Sequence, residues 1–306
     1  MKALLLLAFG GPRSLEEVEP FLTRLFRGRR PSPEQVGRIK ERYRLIGGSS
    51  PLPEITGAQA RSLEEKLNQK GYSFKSYVGM RYGHPLIEET LGEILRDGLR
   101  NVVAIPMAPF RSGASTGAYV EEADRILRIM DKGLEVSFVE GWSSAPLFID
   151  AVKERIEEGL MELPPEVGKA VHLVFTAHSL PKAVVEGTPY VKDMEESVRR
   201  VLERVGPLPW HVAFQSKGGG PEEWIGPDVE SVLTDLSGKK IRGVLIVPIG
   251  FVSDHIEILY DIDIAFRKKA ESLGIVLKRT RSLNTSERFI EALAGAVENH
   301  LRGQER

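Results

Sequence analysis

Short runs of consecutive apolar residues recur along the chain and indicate buried strands. The first run, residues 3–9, contains no polar side chain, and most of the others are rich in leucine, isoleucine and valine. Apolar runs of this length, without alternating polar positions, are typical of parallel sheets that are covered on both faces. The pattern predicts strands at residues 3–9, 73–80, 102–107, 135–139, 172–177, 211–215, 244–249 and 275–278.

Charged segments with a helical period lie between most of these runs. Apolar residues recur in them every three or four positions, which places the apolar side chains on one face of a helix. Strands and helices therefore alternate, and this order predicts an α/β fold with parallel sheets flanked by helices. The predicted helices cover residues 55–69, 87–97, 119–130, 149–161, 191–205 and 258–273.

The two halves of the chain resemble each other. Residues 5–12 and 173–181 are both apolar runs that end in a turn with proline, and residues 103–110 and 245–252 form a second such pair. A tandem pair of similar domains explains the repeat, and 306 residues fit two packed cores of ordinary size. Matched runs are 98 residues apart in the first half and 72 in the second, which indicates an insertion near residues 13–55.

The candidate insertion, residues 24–53, is rich in arginine, glycine, serine and proline and shows little periodicity. We therefore expect a long irregular loop, and such loops in compact domains are often functional. In open α/β sheets, ligands bind beyond the carboxyl ends of the strands. The sequence thus predicts a ligand site in the cleft between the two halves.

The composition of the chain excludes several classes of partner and of reactive site. The chain has 42 basic and 43 acidic side chains, so no excess of positive charge points to a nucleic-acid partner. Cysteine is absent, which excludes disulfides, thiolate metal sites and cysteine nucleophiles and leaves histidine and carboxylates as metal ligands.

The apolar start is too short for a signal peptide, and no run approaches the ~20 apolar residues of a membrane helix. We expect a cytoplasmic protein without an integral membrane segment.

Segment 248–263 carries the densest group of polar side chains that follows a predicted strand. Glu257 and Asp261 are four residues apart, so on a helix they lie on one face at neighbouring turns. Such a carboxylate pair can bind a divalent cation or pass protons along the helix. The structural alternative is that Glu257 belongs to a capping box at the start of the helix and that Asp261 is solvated.

His178 lies just after the apolar run 172–177. A neutral imidazole can take up a proton near pH 7 or bind iron. The structural alternative is a histidine that only satisfies hydrogen bonds at the end of the strand. The remaining histidines lack the close spacing that closed zinc sites use, so a zinc site is not expected.

Residues 24–30 concentrate arginines beside Phe26. Guanidinium groups bind carboxylates through paired hydrogen bonds and stack on flat rings. The stretch therefore suits the carboxylates of a flat aromatic ligand, and equally RNA. A solvated charged loop is the structural alternative.

Six motifs resemble those of the ferrochelatases in the same order, and the similarity extends over nearly the whole chain. They are residues 47–52 (GGSSPL), 79–85 (GMRYGHP), 177–181 (AHSLP), 215–218 (QSKG), 224–229 (WIGPDV) and 253–257 (SDHIE). The resemblance implies a lyase that inserts ferrous iron into a porphyrin in haem biosynthesis, with iron as a substrate and no organic cofactor. It also implies two Rossmann-like domains, each with a four-stranded parallel sheet flanked by helices.

The resemblance implies a division of the chain as well. Residues 1–148 correspond to an N-terminal domain with a porphyrin-binding insertion, and residues 149–285 to a C-terminal domain with the metal-side residues. The C-terminal helix, residues 286–306, is expected to pack back on the first domain. We expect a monomer whose partners are the porphyrin and ferrous iron.

Carried over residue by residue, His178 and Glu257 take the family's catalytic positions on one side of the porphyrin plane. Both are expected to face the metal. Asp261 is expected to join them as a third metal-side residue, one helical turn after Glu257, and so to continue a line of acidic side chains along the helix.

Two positions depart from the family pattern. Where related bacterial enzymes have a tyrosine on the opposite side of the porphyrin, this chain has Phe9, which cannot ligate iron. The acidic line also stops early, because the position one turn beyond Asp261 is Ala265. Transit of protons or metal is then expected to rely on Asp261, Asp263 and water.

A further set of residues resembles the porphyrin-binding region of soluble enzymes that act on coproporphyrin III, whose four propionates suit a basic rim. Together with Phe9, the porphyrin-binding set is Arg27, Arg29, Arg30, Arg42, Tyr43, Ser50 and Tyr119. Coproporphyrin III is therefore the expected substrate. A protoporphyrin IX ferrochelatase, a cobalt chelatase and a haem-binding module without catalysis remain as alternatives.

Overall fold

The computed structural model describes residues 1–130, 133–168, 170–219 and 221–304. The strands within this part are β1 (Lys2–Ala8), β2 (Phe74–Met80), β3 (Asn101–Pro106), β4 (Glu135–Phe138), β5 (Val171–His178), β6 (Trp210–Gln215), β7 (Gly243–Val247) and β8 (Val276–Arg279). They form one parallel sheet with the order β2-β1-β3-β4 and a second with the order β6-β5-β7-β8. The strands agree with the predicted apolar runs to within a few residues.

Helices fill the connections between strands, which makes each half a Rossmann-like unit and confirms the predicted α/β fold. The helices are α1 (Val18–Leu25), α2 (Pro33–Leu45), α3 (Leu52–Gln69), α4 (Ile87–Arg96), α5 (Thr116–Met130), α6 (Pro146–Met161), α7 (Pro165–Gly168), α8 (Lys182–Val185), α9 (Tyr190–Val205), α10 (Val229–Gly238), α11 (Arg267–Ser272) and α12 (Glu287–Gln304), with a π-helix (Glu257–Phe266) directly before α11 and a short 3₁₀ turn (Trp142–Ser144) before α6.

The two sheets have the same topology. β1 and β5 occupy the second place in their sheets, and β3 and β7 occupy the third. These are the strands that the sequence repeat pairs, so the repeat is confirmed at the level of topology. The extra length of the first half comes from α1 and α2, which lie between β1 and α3.

The prediction of an irregular loop over residues 24–53 is wrong, because α2 lies within it. The Ser32 hydroxyl accepts a hydrogen bond from the Gln35 backbone, and the Gln35 side chain accepts one from the Ser32 backbone, so the helix begins with a capping box. Val36 and Tyr43 are its buried residues. An apolar stripe this narrow gives only a weak period in the sequence.

The inner faces of the two sheets share one hydrophobic core. Leu4 and Leu6 of β1 belong to the same buried cluster as Leu173 and Phe175 of β5. Helix α12 packs against α3 and α6 and contributes to this cluster. Each half also has a buried cluster of its own, so the two cores that the length predicts are present and are joined by the shared cluster.

The C-terminal helix extends over Glu287–Gln304, and residues 305 and 306 lie outside the described residues. The predicted division at residue 148 falls within the first turn of α6, and the division itself stays a prediction. Among the described residues, no helix has both the length and the apolar character that crossing a bilayer demands.

Replacing Phe289 with alanine tests the packing of α12. Phe289 is fully buried, and its ring centroid lies 6.1 Å from that of Trp142 and 6.4 Å from that of Phe148. We expect Phe289→Ala to lower the free energy of unfolding by about 3–5 kcal/mol, because a buried aromatic ring is lost and a cavity remains. Urea unfolding followed by circular dichroism measures the change.

Met161→Ala is the control, because 79% of Met161 is exposed at the end of α6. A surface substitution of this kind is expected to change the free energy of unfolding by no more than about 0.5 kcal/mol. Equal effects of the two substitutions would contradict a role of α12 in the shared core.

Candidate active site

The structure brings His178 and Glu257 together, although 79 residues separate them in the chain. His178 is the last residue of β5, and Glu257 is the first residue of the π-helix that follows β7. Because β5 and β7 are parallel neighbours, both side chains emerge at the carboxyl edge of the second sheet. Nδ1 of His178 lies 2.9 Å from Oε2 of Glu257 and donates a hydrogen bond to it.

The backbone carbonyls of the same two residues are also held. The Tyr190 hydroxyl donates to the His178 carbonyl oxygen over 2.8 Å, and Nε2 of Gln215 donates to the Glu257 carbonyl oxygen over 2.8 Å. Tyr190 and Gln215 are both buried. The imidazole and the carboxylate therefore stand on a backbone whose position is fixed from two sides.

Each member of the pair stabilises the charged form of the other. Burial alone would lower the pKa of His178, but the charge and hydrogen bond of Glu257, with a smaller effect of Asp261, raise it above its ordinary value. Burial alone would raise the pKa of Glu257, but His178 and His255 lower it well below its ordinary value. The side chains of His178 and Glu257 are 33% and 26% exposed, so a ligand can still reach them.

His255 is a third member of this group. Its Nδ1 lies 3.0 Å from the Ser253 carbonyl oxygen and donates to it, which leaves Nε2 free to face Glu257 at 3.7 Å. The spacing of histidines in the sequence gives no indication of this contact. The position of His255 two residues before Glu257, in the same loop, is the signal that could have found it.

Asp261 occupies a separate position beside the pair. It accepts a hydrogen bond of 2.5 Å from the Ser216 hydroxyl, and Nη1 of Arg42 lies 3.8 Å from its Oδ1. Burial raises the pKa of Asp261, and Glu257 adds to this rise while Ser216 opposes it. Ser216 follows the end of β6, so the rule that ligand-facing side chains follow parallel strands could have identified it.

The predicted set of three metal-side residues is therefore not assembled as one ligand cluster. In the part of the chain that the structure describes, no three histidine or carboxylate side chains are arranged to hold a metal ion. His178 and Glu257 meet directly, whereas Asp261 is turned toward Ser216 and Arg42.

The structural alternative for this segment is excluded, since the Glu257 carboxylate contacts His178 and not the start of the helix. The Asp261 side chain is only 14% exposed and is not solvated. The expected contribution of Asp263 is also wrong, because Asp263 forms a two-pronged ion pair with Arg279 at 2.8 and 2.9 Å. Both carboxylate oxygens of Asp263 are bound to Arg279, so Asp263 does not extend the row of acidic side chains formed by Glu257 and Asp261.

Phe9 lies at the carboxyl end of β1 and is 43% exposed. Its ring meets Tyr82 edge to face, with 4.8 Å between ring centroids, and a more distant ring, Phe21, lies 6.2 Å away. The backbones of the two loops touch here, because a side chain at Gly10 would come within 2.5 Å of the nitrogen of Gly83. Tyr82 is an aromatic residue of this site that sequence reasoning did not single out.

The four predicted propionate-binding arginines fall into two places. Arg27, Arg29 and Arg30 are exposed at the end of α1, where Arg30 contacts Glu19 at 3.0 Å. Arg42 lies on α2 instead, with its guanidinium 4.8 Å from the centre of the Tyr260 ring and close to Asp261. The structure therefore separates Arg42 from the other three and places it beside the π-helix.

The three remaining porphyrin-binding candidates are buried. Tyr43, Ser50 and Tyr119 are 2%, 5% and 6% exposed. Burial raises the pKa of Tyr43, and the charge of Glu257 raises it further. Ser50 packs against Gly11 in the loop after β1. Tyr119 lies in the core of the first sheet, and contact with a ligand stays a prediction for all three.

Comparison with known proteins identifies the family of the chain. A family model described as Ferrochelatase matches residues 1–301. The ferrochelatase of Geotalea uraniireducens is 41% identical over 313 residues, and the match covers 96% of each chain. The coproporphyrin III ferrochelatase of Bacillus subtilis is 36% identical over 302 residues, again with 96% of each chain covered.

A solved structure, SirB from Bacillus subtilis with Fe3+, has the same fold. The superposition gives a TM-score of 0.61 at 13% identity and covers 100% of this chain and 98% of that chain. The fold is thus that of a chelatase. Because the family model and the relatives match nearly the whole length, the chain belongs to the ferrochelatase family.

Proposed function

We propose that this chain inserts ferrous iron into coproporphyrin III, giving coproheme and releasing two protons. The observation that carries the proposal is the contact of 2.9 Å between the His178 imidazole and the Glu257 carboxylate at the carboxyl edge of the second sheet. Membership of the ferrochelatase family supports iron as the metal and a porphyrin as its acceptor.

Metal insertion requires that two pyrrole N–H groups of the porphyrin lose their protons. His178 is the proton acceptor in this proposal, because Nδ1 is bound to Glu257 and Nε2 is left for the substrate. The Glu257 carboxylate stabilises the imidazolium that forms when Nε2 takes up the proton. The carboxylate thus acts on the reaction through the charge of its partner.

Ferrous iron accepts imidazole nitrogen and carboxylate oxygen as ligands. The two groups that face each other at this edge offer both atom types to the incoming ion. Asp261 has a raised pKa, so it takes up a proton nearer neutral pH than a free aspartate does. It is therefore suited to carry protons from the pair to solvent.

Two observations support coproporphyrin III as the acceptor. The exposed Arg27 and Arg29 form no side-chain hydrogen bond with any other residue that the structure describes, so their guanidinium groups are available to propionates. The relative from Bacillus subtilis is a coproporphyrin III ferrochelatase.

Phe9 presents an apolar ring, which suits the face of the macrocycle away from the metal.

Removal of either member of the pair tests the proposed catalytic roles. We expect His178→Ala and Glu257→Gln to bind porphyrin and to lose iron insertion by at least about 100-fold, because general bases contribute about this much or more. Steady-state rates of coproheme formation and the fluorescence titration of metal-free coproporphyrin III measure the two effects separately.

His300→Ala is the matched control, because His300 is bonded to Ser137 on the first sheet and faces no residue of the pair. It is expected to keep the wild-type rate. Full activity in both His178→Ala and Glu257→Gln would refute the assignment.

The titration of His178 gives a second test. Since Glu257 raises the pKa of His178 above 6.5, the neutral imidazole and with it the rate are lost as the pH falls through that raised pKa. In Glu257→Gln the lowering effect of burial is opposed only by the smaller effect of Asp261, so the midpoint of His178 should move to lower pH. Nitrogen-15 NMR of labelled histidine follows the midpoint directly.

The stability contribution of the pair depends on pH in the direction opposite to that of the rate. A raised pKa of His178 stabilises the fold below pH 6.5, and this contribution disappears as the pH rises through the raised value. The stability difference between wild type and Glu257→Gln should therefore shrink above pH 6.5. An unchanged NMR midpoint in Glu257→Gln would contradict the coupling of the pair.

The choice of porphyrin is tested by the exposed arginines. We expect the double variant Arg27→Gln, Arg29→Gln to raise the KM for coproporphyrin III about tenfold, which corresponds to about 1.4 kcal/mol. The KM for protoporphyrin IX, which has only two propionates, should change less. Initial rates on both porphyrins measure the difference.

Arg128→Gln removes an exposed charge on α5 and serves as the control. It should leave both KM values unchanged. A wild-type enzyme that prefers protoporphyrin IX, or equal losses on both porphyrins, would overturn the choice of coproporphyrin III.

A further inference from the structure

Arg24 differs from the exposed arginines that follow it. Its side chain turns inward, where Nη1 donates to the Tyr82 carbonyl oxygen over 3.2 Å and Nη2 lies 2.7 Å from Nε2 of His84. The guanidinium thus bridges two positions of the loop after β2, residues 81–86, which we call the Tyr82 loop. Arg24 is occupied within the protein and is not available to a propionate.

The contacts of His84 define its tautomer. A guanidinium only donates hydrogen bonds, so Nε2 of His84 accepts from Arg24 and Nδ1 carries the proton. Nδ1 donates to the Glu89 carboxylate, with distances of 2.9 and 3.1 Å to its two oxygens. Glu89 also accepts from the backbone nitrogen of Leu86 over 2.7 Å. Arg24, His84 and Glu89 thus form a chain that crosses the Tyr82 loop and ends on α4.

Further bonds hold the same loop against β1. Nη2 of Arg13 donates to the His84 carbonyl oxygen over 2.7 Å, and the Tyr82 backbone nitrogen donates to the Phe9 carbonyl oxygen over 3.0 Å. Gly83 lies so close to Gly11 that an added side-chain carbon would come within 2.9 Å of its nitrogen. The backbone of the loop is therefore bound on both sides of Tyr82.

The consequence is a fixed pair of rings at the carboxyl edge of the first sheet. Tyr82 meets Phe9 at 4.8 Å with an angle of 61° between the rings, and the Arg81 guanidinium lies 5.0 Å from the centre of the Tyr82 ring. Phe9 keeps 43% of its surface exposed. A flat macrocycle can rest on this surface without first ordering the side chains beneath it.

We propose that Arg24 and His84 are positioning residues, which hold Tyr82 against Phe9 so that the two rings form a rigid wall for the porphyrin macrocycle. The inference rests on the proposed function, since it assumes that Phe9 faces the porphyrin. Neither residue touches the substrate; both act through the Tyr82 loop. Their loss should therefore weaken porphyrin binding and leave proton transfer at His178 intact.

Four single variants of the full-length enzyme test this. Arg24→Lys keeps the positive charge but cannot reach two acceptors with a planar fork. His84→Leu removes both hydrogen bonds at similar volume, whereas His84→Gln retains one acceptor and one donor. Arg199→Lys, in an exposed ion pair with Glu196 on α9, is the matched control. Circular dichroism and Tm establish that each variant is folded.

The measurements are the Kd of metal-free coproporphyrin III from fluorescence titration, and kcat and KM for iron insertion. For Arg24→Lys and His84→Leu we expect Kd and KM to rise about tenfold, equivalent to about 1.4 kcal/mol. The kcat should stay within about twofold, because chemistry at the pair is unchanged. His84→Gln and Arg199→Lys should resemble wild type.

A double variant tests whether the effect runs through Tyr82. If it does, His84→Leu adds nothing to the loss of affinity already caused by Tyr82→Ala, since the wall is absent in both. Additive losses would overturn the inference, as would wild-type Kd in folded Arg24→Lys and His84→Leu or a fall in kcat at constant Kd. These outcomes presuppose that the wild type binds porphyrin and inserts iron. A wild type that does neither overturns the proposed function as well.

Discussion

The site depends on one constraint, which is that a carboxylate in a largely enclosed position must be compensated. A charge removed from water is costly unless partners of opposite charge and hydrogen bonds replace the solvent. Glu257 meets this condition through His178 and His255. His178 is the last residue of β5 and Glu257 is the first residue of the π-helix, so their contact connects the ends of these two elements.

Much of the fold could be predicted, because buried parallel strands leave a strong signal. The run at residues 3–9 is apolar throughout, and β1 is accordingly the second strand of its sheet, paired on both sides. Helix α2 gave a weaker signal, since only Val36 and Tyr43 are buried, with Ile39 partly buried, among exposed charged residues. A helix that packs only on a small cluster needs few apolar positions, so its period is lost among charged residues.

The site was predictable only in part. The positions of His178 and Glu257 after predicted strands, together with the resemblance, pointed to both. The contact of Arg42 with Tyr260 was hidden, because it depends on the unpredicted α2. Ser216 reaches Asp261 from a left-handed backbone conformation, with φ of +60°, that no apolar pattern encodes. Contacts between loops depend on local backbone turns, which periodicity does not describe.

The core shared by the two sheets limits how a large planar molecule can enter and leave. Separation of the two halves would expose Leu4, Phe175 and their neighbours to water. The hydrophobic free energy lost in this way opposes a hinge motion between the halves. Helices α1 and α2 instead form a small separate cluster around Phe21 and Tyr43. This cluster has fewer members than the shared core, so displacement of α1 and α2 would expose fewer buried apolar side chains than separation of the two halves.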